Sequence, residues 1–138
     1  SLEARQERQR QAGERLGATP IDGTYDVVVE AAGSDSAVQR ITELARPGGV
    51  LVLLGVYWGA IALPGLATMM KERCVQPSSM YGRHATGRDI EAAAALLASN
   101  PDLPAALITQ RLPLDAAAEA FAIARDRRAG AIKVVLEP

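Results

Sequence analysis

A mixed α/β fold, a parallel sheet with helices on both faces, is predicted by three features of this 138-residue sequence. Two apolar, β-branched runs, "YDVVVEAA" (Tyr25–Ala32) and "VLVLLGV" (Val50–Val56), lack the alternation of half-exposed strands and read as buried strands. Between them Ala37, Ile41, Leu44 and Ala45 recur at helical spacing. Parallel neighbours need a crossover of this kind, so the order strand, helix, strand implies a parallel pair with a right-handed connection.

Each element follows in turn. "LEARQERQRQAGERLGA" has the charge density of a solvated helix, with acids interleaved among its arginines and Gly17 as its stop. Pro20 and Asp22-Gly23 break the chain before the first strand. In Gly33-Ser34-Asp35-Ser36 a serine or the aspartate can cap the next helix, and "RPGG" (residues 46–49) ends it. Leu66 to Arg73 reads as a short helix and Cys74 to Met80 as a weaker strand, in which Pro77 argues for an edge position. Gly87 to Ser99 is an alanine-rich helix with Ile90, Ala94 and Leu97 on one face, broken at 100–104. Leu107 to Arg111 is extended. Asp115 to Arg128 is a helix with Ala117, Ala120, Phe121 and Ala124 inward, and Ala131 to Leu136 is a closing strand.

Composition narrows the function classes. The chain is the length of one domain, 49 % hydrophobic and 22 % charged, as in ordinary globular proteins. A net charge of −1 supplies no overall basic field for nucleic acid or an anionic membrane. The single cysteine, Cys74, excludes an internal disulfide framework and a multi-cysteine zinc lobe, in keeping with a cytoplasmic setting. No apolar run approaches the ~18 residues of a membrane span. The charged beginning is unlike a signal peptide, and a start at Ser1 instead of methionine suggests a cut or processed end. Cys74 is expected in the core and His84, the one histidine, in a loop. Glu30 can serve either a functional site or neighbouring backbone amides. Tyr57-Trp58 can shape a cleft, a subunit contact or the core.

Six segments then occur in a telling order: "LGA", "YDVVVEAAGS", "RPGGVLVLLGV", "KERCVQPSSMYGR", "LITQRLPLDAAAEAF" and "GAIKVVLEP". Together they resemble the C-terminal half of the coenzyme domain in the medium-chain dehydrogenase/reductase family, the zinc-type alcohol dehydrogenases. The resemblance implies an incomplete Rossmann-type sheet over residues 1–138, with a return segment from about residue 104. The G-x-G-x-x-G turn, which lets backbone approach a pyrophosphate, is not in this sequence. The resemblance puts it upstream of Ser1, with the catalytic domain and its zinc ligands further upstream.

The same resemblance implies coenzyme contacts for NAD or NADP. Ala31, Ala32 and Ser34 would line the adenosine side, and Leu54, Gly55 and Val56 would run beneath the nicotinamide. Ser79 and Met80 would add main chain nearby, and Lys133 would face the pyrophosphate. Gly55 is expected because a side chain there could obstruct the ring. No catalytic or metal-binding residue is assigned within this chain. The strand whose terminal acid reads the ribose is absent or cut at the start, Glu3 being the nearest acid; since Arg5 and Arg8 could equally neutralise a 2′-phosphate, the choice between NAD and NADP stays open. Pro77 replaces a glycine common in the family at the sheet edge used for dimer contacts, which puts that geometry in doubt.

The implied reaction is hydride transfer between an alcohol or carbonyl substrate and nicotinamide, in a homo-oligomer with no nucleic-acid or membrane partner. The isolated chain is expected to be inactive and, with an open sheet edge, to associate. Two alternatives remain at this stage. One is a non-catalytic nucleotide-binding remnant. The other is an S-adenosylmethionine-dependent methyltransferase, which shares the "YDVVV" and "PGG" signals but should close with an antiparallel hairpin.

Overall fold

Among the described residues, helices α1 (Glu7–Arg15), α2 (Asp35–Leu44), α3 (Gly65–Met70), α4 (Asp89–Ser99), α5 (Asp102–Leu107) and α6 (Ala117–Arg125) accompany seven strands. The strands are β1 (Tyr25–Glu30), β2 (Ala45–Leu53), β3 (Cys74–Pro77), β4 (Arg83–His84), β5 (Gly87–Arg88), β6 (Ile108–Pro113) and β7 (Lys133–Glu137). The structure is a computed structural model describing residues 1–78 and 81–138. Two units form: Asp22–His84, and Ser1–Ile21 together with Ala85–Pro138.

In the unit Asp22–His84, β1, β2 and β3 make a sheet in that order, with both pairings parallel. Val28 stands opposite Leu51, Glu30 opposite Leu53, and Leu53 opposite Pro77. Side chains alternate across a strand, so Leu51 and Leu53 share a face. That face receives Val38, Ile41 and Ala45, with Val28, Tyr57, Leu63 and Val75 packed around them. Leu51 is wholly buried, a gain of about 1.5–3 kcal/mol for such a side chain. Helix α2 presents Val38, Ile41, Thr42 and Leu44 inward, and Ser34 caps it by accepting from the Ala37 amide at 3.3 Å.

Strand β1 differs from the sequence expectation of cover on both faces. Val27 and Val29 are each 54 % exposed, because only the Val28 face meets α2 and its core. The strands also stop early, at Glu30 and Leu53, where the chain turns away instead of running on to Ala32 and Val56. At the other end β2 begins at Ala45, a residue expected on the helix, and runs straight through the expected break at 46–49. Between the pairs Tyr25–Ala45 and Val27–Val50, β2 spends five residues against two on β1. "RPGG" is therefore a bulge within the strand, with Gly48 in the left-handed region at φ 70°.

Two helix ends share one design. After α1, the amides of Gly17 and Ala18 donate to the carbonyls of Glu14 (3.0 Å) and Gly13 (2.9 Å). After α3, the amides of Glu72 and Arg73 donate to Met69 and Thr68, both at 3.1 Å. Both are Schellman endings, which place one residue at positive φ. Gly17 has φ 84° and Glu72 has φ 51°. Arg73 is buried, its guanidinium donating to the carbonyls of Ala45 (2.6 and 3.2 Å) and Ala67 (3.1 Å).

In the second unit β6 and β7 pair in parallel, Arg111 opposite Val135 and Leu112 opposite Leu136. A parallel ending removes the methyltransferase reading. Helix α6 buries Ala120, but Phe121 points outward at 73 % exposure, contrary to expectation. Helix α4 buries none of its residues. Residues 102–104, expected in a break, and Leu107, expected to be extended, instead belong to α5, which Pro104 can join because it stands in the first turn. Among the described residues no helix is long and apolar enough to cross a membrane.

Candidate functional site

The carboxyl ends of β1 and β2 stop level with each other, and two turns leave the sheet there. The Glu30 carbonyl accepts from the amides of Leu54 (2.8 Å) and Gly55 (3.1 Å), which draws the second turn beneath the first. The Glu30 side chain then folds back into the junction and is 2 % exposed. Its Oε1 accepts from the amides of Ala32 (2.6 Å) and Gly33 (2.8 Å). Its Oε2 accepts from the Tyr57 hydroxyl. A buried carboxylate needs such partners, and here three donors meet it.

The turns approach so closely that two positions require glycine. Gly33 adopts φ 67°, and a Cβ there would lie 2.6 Å from the Val56 carbonyl oxygen. A Cβ at Gly55 would strike the Gly33 amide nitrogen and lie 2.5 Å from Glu30 Oε2. The need for glycine at 55 is thus met inside the protein, before any ring is considered. Tyr57 keeps its proton well beyond the ordinary phenol range. Burial is the first cause, followed by its bond to Glu30 and by the negative charges of Glu30 and Asp35. The loop beyond Tyr57 is tied to the start of α2, since the Ala62 amide donates to Asp35 Oδ1 at 3.3 Å.

Six of the residues singled out in the sequence meet at this junction. Ala31 and Ala32 are exposed on the first turn, and Ser34 is half-buried at the head of α2. Leu54 and Val56 are exposed on either side of the half-buried Gly55. Small and apolar groups thus form a ledge at the carboxyl ends of two parallel strands, where nucleotides bind in open α/β sheets. Ser79 and Met80 lie outside the described residues. Lys133 belongs to the other unit, where it opens β7, exposed, its carbonyl accepting from Thr109 Oγ1 at 3.1 Å.

Other expectations change. Cys74 is exposed on the edge strand β3 instead of lying in the core. His84 falls in the two-residue strand β4 instead of a loop. Trp58 is almost fully exposed. Among the described residues no group of three or more His, Cys, Asp or Glu could hold a metal, so these residues do not fit a zinc ion. The partnership of Tyr57 with Glu30 was not legible, because the two stand 27 positions apart with no periodic signal between them.

The model of the family "Glucose dehydrogenase C-terminus" matches residues 14–137. The glucose 1-dehydrogenase of Thermoproteus tenax is 38 % identical over 123 residues, 85 % of this chain and 34 % of that protein. The chain thus spans about a third of the length of the curated relatives it matches. Among solved structures, L-idonate 5-dehydrogenase of Escherichia coli superposes with a TM-score of 0.74 at 23 % identity, covering 96 % of this chain and 41 % of that one. A Sinorhizobium meliloti protein solved bound to NADP gives 0.69 at 26 % identity, covering 98 % and 44 %. With the parallel β1–β2–β3 order and the match over nearly all its residues, the chain belongs to the glucose dehydrogenase C-terminus family, among the medium-chain dehydrogenase/reductases that its ordered motifs resemble.

Proposed function

We propose that this chain is the later part of the coenzyme domain of an NAD(P)-dependent oxidoreductase acting on a small alcohol or carbonyl compound, a sugar being favoured by the glucose 1-dehydrogenase relatives. The observation that carries the reading is the exposed ledge of Ala31, Ala32, Leu54 and Val56 at the carboxyl ends of parallel β1 and β2. When bound, the nicotinamide exchanges a hydride with the substrate carbon. The chain's own residues orient and shield it. Ala31 and Ala32 leave room for a flat ring, Ser34 holds the head of α2, and backbone at 54–56 offers polar groups to a carboxamide. Lys133 supplies a cation for the pyrophosphate. Ser79 and Met80 complete the set of coenzyme contacts.

Hydride transfer needs a substrate-binding and proton-moving apparatus that these residues do not supply, so the chain alone is inactive. The polypeptide acts in the cytoplasm, without nucleic acid or membrane. The family resemblance favours a homo-oligomer, and the isolated chain, with the β1 edge and Val27 and Val29 exposed, associates with itself or with a complementary half. A monodisperse monomer in dilute-solution scattering would count against that last point.

Titration of the ¹⁵N-labelled chain with NADH and NADPH tests the coenzyme reading. Without the pyrophosphate turn the affinity should be weak, about millimolar. Shifts are expected at the amides of 31–34 and 54–56. Shifts confined to other regions, or none at saturating nucleotide, would overturn the assignment.

A further inference from the structure

We propose that the buried carboxylate of Glu30, with the Tyr57 hydroxyl, is a clamp that positions the two glycine turns carrying the coenzyme ledge. The inference rests on the coenzyme reading for what the ledge binds, but not for how it is built. One side chain touches both turns. Oε1 takes the Ala32 and Gly33 amides of the first, and Oε2 takes the phenol of the second. Oε2 also occupies the space that a Cβ at Gly55 would need. The main-chain carbonyl of the same residue holds the amides of Leu54 and Gly55. Residue 30 is therefore the point from which the exposed groups at 31–32 and 54–56 take their relative placement.

The need for an acid follows from the donor count. The carboxylate receives two amides on one oxygen and a hydroxyl on the other, and an ionised carboxyl is acceptor-only on both. An apolar residue would leave the two amides of this part-buried junction without that acceptor, and the turns would part to reach water. Glutamine keeps one carbonyl oxygen for the amides and turns an NH₂ toward Tyr57, whose hydroxyl can accept. Glu30 acts through the backbone it holds, so it is a positioning residue and not a catalytic one.

Amide hydrogen exchange on the labelled chain, read residue by residue, provides the test. In Glu30→Ala the Ala32 and Gly33 amides should exchange about tenfold faster or more, while Leu51 and Val52 in β2 keep their protection. Glu30→Gln should restore most of the slow exchange. Tyr57→Phe, which preserves shape, should speed both amides about threefold by freeing one carboxylate oxygen. It decides the matter if the alanine variant does not fold. Unchanged exchange at Ala32 and Gly33 in Tyr57→Phe, or equal acceleration throughout β2, would overturn the clamp. An NADH titration of the same samples separates the two claims. Wild-type chain that never responds to NADH removes the coenzyme reading, and the exchange result still decides the clamp.

Discussion

Leu51 and Leu97 are the same residue type in two settings, and the difference divides the molecule. Leu51 is fully buried between α2 and its sheet neighbours, while Leu97, on α4, is 51 % exposed. The whole contiguous core cluster lies in Asp22–His84. In the other unit the buried apolar side chains are Ala12 and Ala120, and α4 buries nothing. Helix α4 forms from its own preferences instead: alanine and leucine dominate it, and Glu91 accepts from the Arg88 amide (3.2 Å) and Arg88 Nε (2.9 Å) at its start. One unit is organised by burial and the other largely by local propensity and strand pairing.

The sharpest way to break this comparison is to truncate both leucines. Leu51→Ala should cost about 2–5 kcal/mol, the range for emptying a packed core site. Leu97→Ala should stay within about 0.5 kcal/mol, as expected of a surface change. Urea denaturation measures both. A similar loss in the two variants would show that α4 is covered in solution, for instance by a second copy, and would weaken the contrast.

Gly55→Ala comes next. The new methyl group meets the Gly33 amide and Glu30 Oε2, and both are fixed by the hydrogen bonds of the junction. Overpacking of this kind costs about 1–3 kcal/mol. The same change at Gly59, where a Cβ meets nothing within 4 Å, should be neutral. A thermal melt in which the two variants coincide would contradict the close crossing of the turns.

How much of this was legible beforehand depended on the range of the signal. The strand–helix–strand unit showed in runs of β-branched and periodic residues, and a cap among Ser34, Asp35 and Ser36 ahead of α2, of which the structure uses Ser34. Gly17 as a helix stop was equally local. Strand ends were less visible, because Ala31, Ala32 and Leu54–Val56 are as apolar as the strands they leave. Their departure is imposed by Glu30 and two glycines acting across 27 residues. The outward turn of Phe121 was hidden for a related reason: periodicity marks an apolar face without saying what covers it. The ledge itself came from the family pattern of residues at strand ends, not from composition.

The junction also predicts a pH effect. Tyr57 holds its proton more tightly in the folded chain than in the unfolded one, where a tyrosine titrates near ~10. Below that value both states are protonated and its contribution is fully present. As pH rises through about 10 the unfolded state ionises first, so stability falls. Urea midpoints measured from pH 8 to 11 should therefore drop more steeply in the wild type than in Tyr57→Phe. Parallel curves would show that the phenol titrates alike in both states.

The smallest effect separates the two Schellman endings. Gly17 takes positive φ without cost, whereas Glu72 holds the same place after α3 with a side chain. A left-handed residue with a Cβ is strained by roughly 1–2 kcal/mol. Against that, glycine enlarges the freedom of the unfolded chain by about 0.4–1 kcal/mol. The strain is the larger quantity, so Glu72→Gly should stabilise by about 0.5 kcal/mol. Gly17→Ala should destabilise, since there the strain is introduced. Chemical denaturation of the pair gives opposite signs if both helices end as described. A loss in both would mean that Glu72 returns more through its surroundings than its backbone forfeits, and the two endings would then be alike in hydrogen bonds only.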